Sequence, residues 1–163
     1  MGNSLRTMKC ESRPCHLAVI DSSDTSNTHT VAVTMDLCKR IDILEIANDM
    51  KVKRTLQTSR QYSAVAAVNK QSLAVGYSQG PGIDLINLDG HVLRQICSNI
   101  QPFGMAVTED GELVCSTGYK IASVKVDSGT VAFHKSGEIH LHTAPAPQPR
   151  AAAHKHQECF ATY

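Results

Sequence analysis

The chain lacks a dominant charge: 16 Lys and Arg stand against 15 Asp and Glu in 163 residues. Whole-molecule electrostatics therefore announce neither a nucleic-acid nor a membrane partner, and either role would have to rest on a local patch. Long apolar runs are also missing. No stretch reaches the length that crosses a bilayer, and no apolar segment follows the charges near the N-terminus, so the sequence reads as neither secreted nor membrane-embedded. The opening MGNSLR approaches a myristoylation start, but Arg6 stands where Ser or Thr is required, and an untethered, frayed terminus is expected. There is no C-x-x-C pair, so Cys10 and Cys15 stand alone, and no G-x-S-x-G that would mark a nucleophile elbow.

Six cysteines are present, yet Cys38, Cys97 and Cys115 fall inside or beside apolar strand-like runs, where a free thiol behaves as a small hydrophobe. The expectation is a reduced, cytoplasmic chain. The length suits one domain that buries about two-thirds of its unfolded surface.

What the sequence does contain is a period. SLAVGY at 72–77 lies 40 residues before ELVCST at 112–117, and the runs ahead of them, AVAAV and GMAV, match as well. GIDLINLDG at 82–90 aligns with KIASVKVDSG at 120–129, each an alternating segment closed by Asp and a Gly turn. A third copy lies upstream in HLAVI, TVAV, RIDILEI and VKRTL, the first two separated by the polar DSSDTSNTH. A spacing near two between apolar residues argues for strands, and Asp89-Gly90 and Asp110-Gly111 supply hairpin turns. RIDILEIANDMKVKRTL has charges scattered as on a helix, but the repeat and Asn48-Asp49 in its middle argue for two strands. The expected organisation is an N-terminal extension over 1–13, three four-stranded units over about 14–58, 60–98 and 101–135, and a tail over 136–163.

A four-stranded unit of about 40 residues is the size of one β-propeller blade. The third unit resembles an NHL repeat in Pro102-x-Gly104-x-Ala106-Val107, Asp110-Gly111, Lys120-Ile121 and Asp127. The second keeps Gly82-Ile83 and Asp89-Gly90, with Ser63 and Val65 where Pro and Gly would fall, and the first keeps Arg40-Ile41. The chain thus looks like the NHL-like propellers at the C-terminus of tripartite-motif proteins, without the zinc-bound RING and B-box modules and without the ubiquitin-ligase activity that goes with them. The resemblance implies an all-β partial propeller and permits protein or RNA binding.

Three blades fall short of the four to eight that close a propeller, so the outer two would present apolar faces open to self-association. After TVAFHKS the repeat does not restart, and the Pro/Ala bias at 144–153 reads as a disordered tail. His134, His140, His142, His154 and His156, with Cys159, could supply metal ligands. A tail without preorganised geometry would have to gather them at an entropic cost, so no metal and no cofactor is expected.

The inner strands are apolar, with His16 their one polar candidate, and the chain is therefore expected not to be an enzyme. The leading expectation is a non-catalytic interaction module. The loops joining second to third strands, and each unit to the next, share one face. That face carries Lys39, Arg40, Arg60, Gln61, Tyr62, Tyr77, Gln101, Phe103, Tyr119 and Lys120, basic residues interleaved with aromatics that suit a protein partner first and RNA second. The alternatives are a metal-dependent lactonase- or esterase-like half-propeller and a truncated product without independent function.

Overall fold

The computed structural model describes residues 7–23, 27–35, 37–118 and 120–134, apart from the side chains of 22, 23 and 134. The MGNSLR start, Tyr119 and the 136–163 tail with its histidines and Cys159 lie outside the described residues.

Twelve strands form three antiparallel sheets of four. Sheet 1 holds β1 (Pro14–Ser23), β2 (Thr28–Met35), β3 (Arg40–Ile46) and β4 (Met50–Gln57). Sheet 2 holds β5 (Tyr62–Asn69), β6 (Ser72–Tyr77), β7 (Ile83–Asn87) and β8 (Val92–Cys97). Sheet 3 holds β9 (Gly104–Val107), β10 (Glu112–Thr117), β11 (Lys120–Lys125) and β12 (Val131–His134). Within each sheet the strands run in chain order. The all-β expectation and the four-strand period are thereby met. Strand β1 and its partner reach further than their apolar residues suggest, because Asp21, Ser22 and Ser23 pair with Thr30, His29 and Thr28. Ladder hydrogen bonds belong to the backbone, so a polar segment joins them when its neighbour is already in register.

The period is visible in the register. Ile41, Ile83 and Ile121 lie opposite Thr34, Gly76 and Ser116, and the next residues, Asp42, Asp84 and Ala122, lie opposite Val33, Val75 and Cys115. Side chains alternate across each sheet, so each sheet has one face toward its predecessor and one toward its successor. In β6 Leu73, Val75 and Tyr77 pack with Ala32, Ile41, Ile43 and Leu56 of sheet 1. On the other side Ala64, Ala66, Ala74 and Ile83 receive Met105, Leu113, Cys115 and Val124 of sheet 3. Small residues on one sheet thus accept larger ones from the next. At Gly76 a Cβ would run into the Pro102 ring.

The first strands β1, β5 and β9 lie side by side where the sheets converge, and they line a shallow apolar depression of about 230 Å³ formed by residues such as Leu17, Ala67 and Ala106. On the far side of sheet 1 the N-terminal segment folds back. Met8 and Cys10 pack against Val31, Val33, Met35 and Leu44, and Glu11 meets Arg40 at 2.7 Å. Cys10, Cys38, Cys97 and Cys115 are free thiols, with Cys97 and Cys115 buried between sheets 2 and 3.

Candidate ligand-binding face

Three loops meet at one end of the joint between sheets 1 and 2: β2–β3 with Lys39, the inter-sheet connection with Ser59, Arg60 and Gln61, and β6–β7 with Ser78 and Gln79. Together with Tyr77 they line an open depression of about 460 Å³. Hydrogen bonds tie its walls together. The Thr58 amide donates to the Lys39 carbonyl at 2.9 Å, the Ser78 amide to the Gln61 carbonyl at 3.1 Å, and Gln61 Nε2 to the Leu37 carbonyl at 3.1 Å. Leu37 takes a left-handed φ of 58°, which turns the β2–β3 loop.

A buried polar group supports the floor. Asp84 is 3% exposed, and its two carboxylate oxygens accept the hydroxyls of Tyr62 and Tyr77, each at 2.8 Å. Gln95 Nε2 donates to the Tyr77 oxygen at 3.0 Å. The two rings lie 5.9 Å apart, tilted by 47°. Burial, the bond to Asp84 and its charge push both phenols above their ordinary value, Tyr62 strongly so. The upper side of the Tyr77 ring carries the Arg60 guanidinium, 4.8 Å from its centroid. Gly82 makes room for that ring, since a Cβ there would collide with it. The result is a cation over an aromatic ring whose own hydroxyl is bonded to Asp84. Among the described residues no carboxylate pairs with Lys39 or Arg60.

The other residues of the expected face are dispersed. Tyr62 is 2% exposed and serves as a support for the floor. Arg40 turns to Glu11 and Asp42, at 2.7 and 3.1 Å. Phe103 is 67% exposed on the next inter-sheet connection, where its amide donates to the Ser116 carbonyl at 2.9 Å. Lys120 Nζ lies over the Phe133 ring, 5.6 Å from its centroid. Asp84, Gln95, Ser59, Ser78 and Gln79 were not singled out from the sequence. The Asp84 signal was available in the shared Ile-Asp of RIDILEI and GIDLIN, an acid in the same register of two otherwise apolar third strands.

Two further groups bear on chemistry. His16, on β1, is part-buried with Nδ1 at 3.0 Å from the Val65 carbonyl. Burial pushes the Cys115 thiol up to about 12 and also raises Cys97, so both are held as neutral thiols. Among the described residues no three of His, Cys, Asp and Glu gather where they could hold a metal, so the donor set for a metal-dependent hydrolase is not found there.

No family model matches the chain, and no curated protein sequence matches it. Solved structures do. Hydrazine synthase from Kuenenia stuttgartiensis superimposes with a TM-score of 0.54 at 17% identity, covering 76% of this chain and 35% of that one. Virginiamycin B lyase from Staphylococcus aureus gives 0.52 at 18% identity, covering 80% and 44%. The fold is that of a β-propeller. Each sheet is a blade, and the chain spans less than half the length of the propeller proteins it matches. A gluconolactonase from Xanthomonas campestris is more distant, with a TM-score of 0.45 at 14% identity over 71% of this chain and 45% of that one.

These neighbours correct one expectation. The apolar inner strands and the missing nucleophile motif led to the reading that the chain is not an enzyme, whereas the similar propellers are named as a synthase and a lyase. The scaffold is one that enzymes use. In an enzyme built on such a scaffold the catalytic groups need not form a local motif, because a propeller gathers residues from several blades.

Proposed function

We propose that this partial propeller is an interaction module that binds an acidic segment of a protein partner on the face around Arg60, and that its repeats are of the NHL type. The observation that carries the reading is the depression lined by Lys39, Arg60 and Gln61, in which the Arg60 guanidinium lies 4.8 Å from the centroid of the Tyr77 ring. A guanidinium over an aromatic ring keeps its planar fork of donors for a carboxylate, and Arg is a frequent anchor at protein interfaces. RNA is the weaker fit. Base stacking needs open aromatic faces, and the rings of Tyr62 and Tyr77 are 2% and 8% exposed. The NHL assignment draws on Pro102-x-Gly104-x-Ala106-Val107 and the paired Arg40-Ile41 and Lys120-Ile121.

Fluorescence anisotropy with a labelled Glu-rich peptide and with poly(U) tests this reading. The peptide is expected to bind the wild type and to be lost on Arg60→Glu and on Lys39→Glu. Poly(U) binding that exceeds it and falls steeply with salt would transfer the face to RNA. Binding of neither probe, or peptide binding unchanged by both reversals, overturns the proposal.

A second reading, of an esterase- or lactonase-like propeller, has one local observation in its favour. His16 lies on the innermost strand with its Nδ1 held against the Val65 backbone, which leaves Nε2 for proton transfer. A screen of esters and lactones with wild type and His16→Gln decides it, since turnover abolished by that substitution is required.

A further inference from the structure

The two ends of the blade row are the two halves of a joint that the chain already builds twice. In β1, Leu17 lies opposite Val33, as Val65 in β5 lies opposite Val75 and Met105 in β9 opposite Cys115. Val65 and Met105 are seated on the preceding blade and are 0% and 7% exposed, but Leu17 is 62% exposed and its neighbour Val19 53%. At the other end Ile121 holds the position of Ile41 and Ile83. Both of those are 0% exposed beneath the following blade, and Ile121 is 37% exposed. Around it Ala106 lies opposite Val114, the register position where the inner joints use Ala18 with Ala32 and Ala66 with Ala74. One end thus retains the projecting apolar residues of a joint, and the other an apolar receiving surface of Ile121 and Ala106, with Val114 where the inner joints have Ala.

We propose that two copies of this chain close a six-bladed ring, the β1 side of each seated on the Ile121 side of the other. Propellers close with four to eight blades, so three are too few and twice three falls within the range. Both contacts are head-to-tail, and a two-fold axis along the ring makes them identical. A second copy is the occupant favoured by the residues, because each open face already matches a surface that this sequence buries. The N-terminal segment covers part of the same ground, with Met8 and Cys10 on Val31, Val33, Met35 and Leu44. Glu11 of its Arg40 ion pair is 83% exposed and that pair adds little, so the incoming copy competes with it for the ground that Met8 and Cys10 cover. The proposal stands apart from the ligand reading, because the depression lies within a single chain.

Sedimentation equilibrium on the full chain tests it. The expected species has twice the 17.6 kDa of one chain. Leu17→Asp and Ile121→Asp, at opposite ends, are each expected to weaken dimerisation by roughly tenfold or more, since each buries a charge in both joints. Val19→Asp is a second variant on the β1 side. All three positions are exposed in the single chain, so unchanged circular dichroism identifies a folded monomer. A wild type that stays monomeric, or a ladder of higher oligomers, overturns ring closure. Loss of the dimer on Leu17→Asp with retention on Ile121→Asp overturns head-to-tail pairing, because it means that the β1 faces pair with each other.

Discussion

Asp84 concentrates the physical chemistry of the joint between blades 1 and 2. A carboxylate inside an apolar strand is tolerable only when its oxygens are satisfied, and here each oxygen receives a tyrosine hydroxyl at 2.8 Å. Asp84→Ala removes the acceptor of both hydroxyls, and leaving a buried donor without an acceptor costs about 1–3 kcal/mol. Urea denaturation of that variant is expected to show the loss. The matching change in blade 1, Asp42→Ala, is expected to cost less, because Asp42 is bonded to Thr55 and to Arg40, and Arg40 keeps Glu11. An Asp84→Ala variant as stable as wild type would remove the network from the fold's support. The same residues set an alkaline limit. The phenols of Tyr62 and Tyr77 are raised in the folded chain, first by burial and then by Asp84, so the neutral form is the one the fold prefers. That stability is fully present below the ordinary phenol value of about 10 and is lost as the pH rises through the folded-state values. Melting temperature is expected to decline above about pH 10, with a shallower decline in Tyr62→Phe. An equal slope in the two proteins would exclude Tyr62 as a source.

Among the elements β6 bears the most constraint, since all six of its residues are buried. Its larger side chains fill blade 1 and its small ones receive blade 3, so Gly76→Ala pushes a methyl into Pro102 and is expected to cost about 1–3 kcal/mol as overpacking. Gly111→Ala supplies the control, because nothing lies within 4 Å of its Cβ site and only its φ of +79° is strained. A smaller loss at Gly76 than at Gly111 would mean that the blade joint gives way easily. The strands themselves were legible in the sequence, because alternation and the Asp-Gly turns are local properties that recur at a fixed interval. The site was legible only in part. Lys39, Arg60 and Tyr77 could be referred to one loop face by strand order alone. That the Tyr77 ring lies buried beneath Arg60 depends on Asp84 and Gly82, whose effect comes through packing that no periodicity encodes. Polar pairing in Asp21–Ser23 was likewise hidden, since the backbone and not the side chains makes it.

At the scale of the whole molecule the blades form a short row whose apolar clusters join each blade to its neighbours, so stability is distributed much as in other repeat arrays. Blade 2 is covered on both faces, by one apolar cluster shared with blade 1 and another shared with blade 3. Blades 1 and 3 each have one such joint, and blade 1 has in addition the N-terminal segment on its far side. Local opening costs least where the fewest apolar contacts must be broken. Hydrogen exchange is therefore expected to be slowest in β6 and β7, faster in blade 1, and fastest in β11 and β12. Greater protection in either outer blade at high dilution would contradict the row as described. Concentration adds a second dimension. If ring closure covers Leu17 at one end and Ile121 at the other, exchange in blades 1 and 3 slows as the protein is concentrated while β6, already enclosed, changes little. Leu17→Asp should abolish that concentration dependence and leave the dilute pattern intact. A profile independent of concentration in the wild type would leave the three blades as an open row with both ends in water.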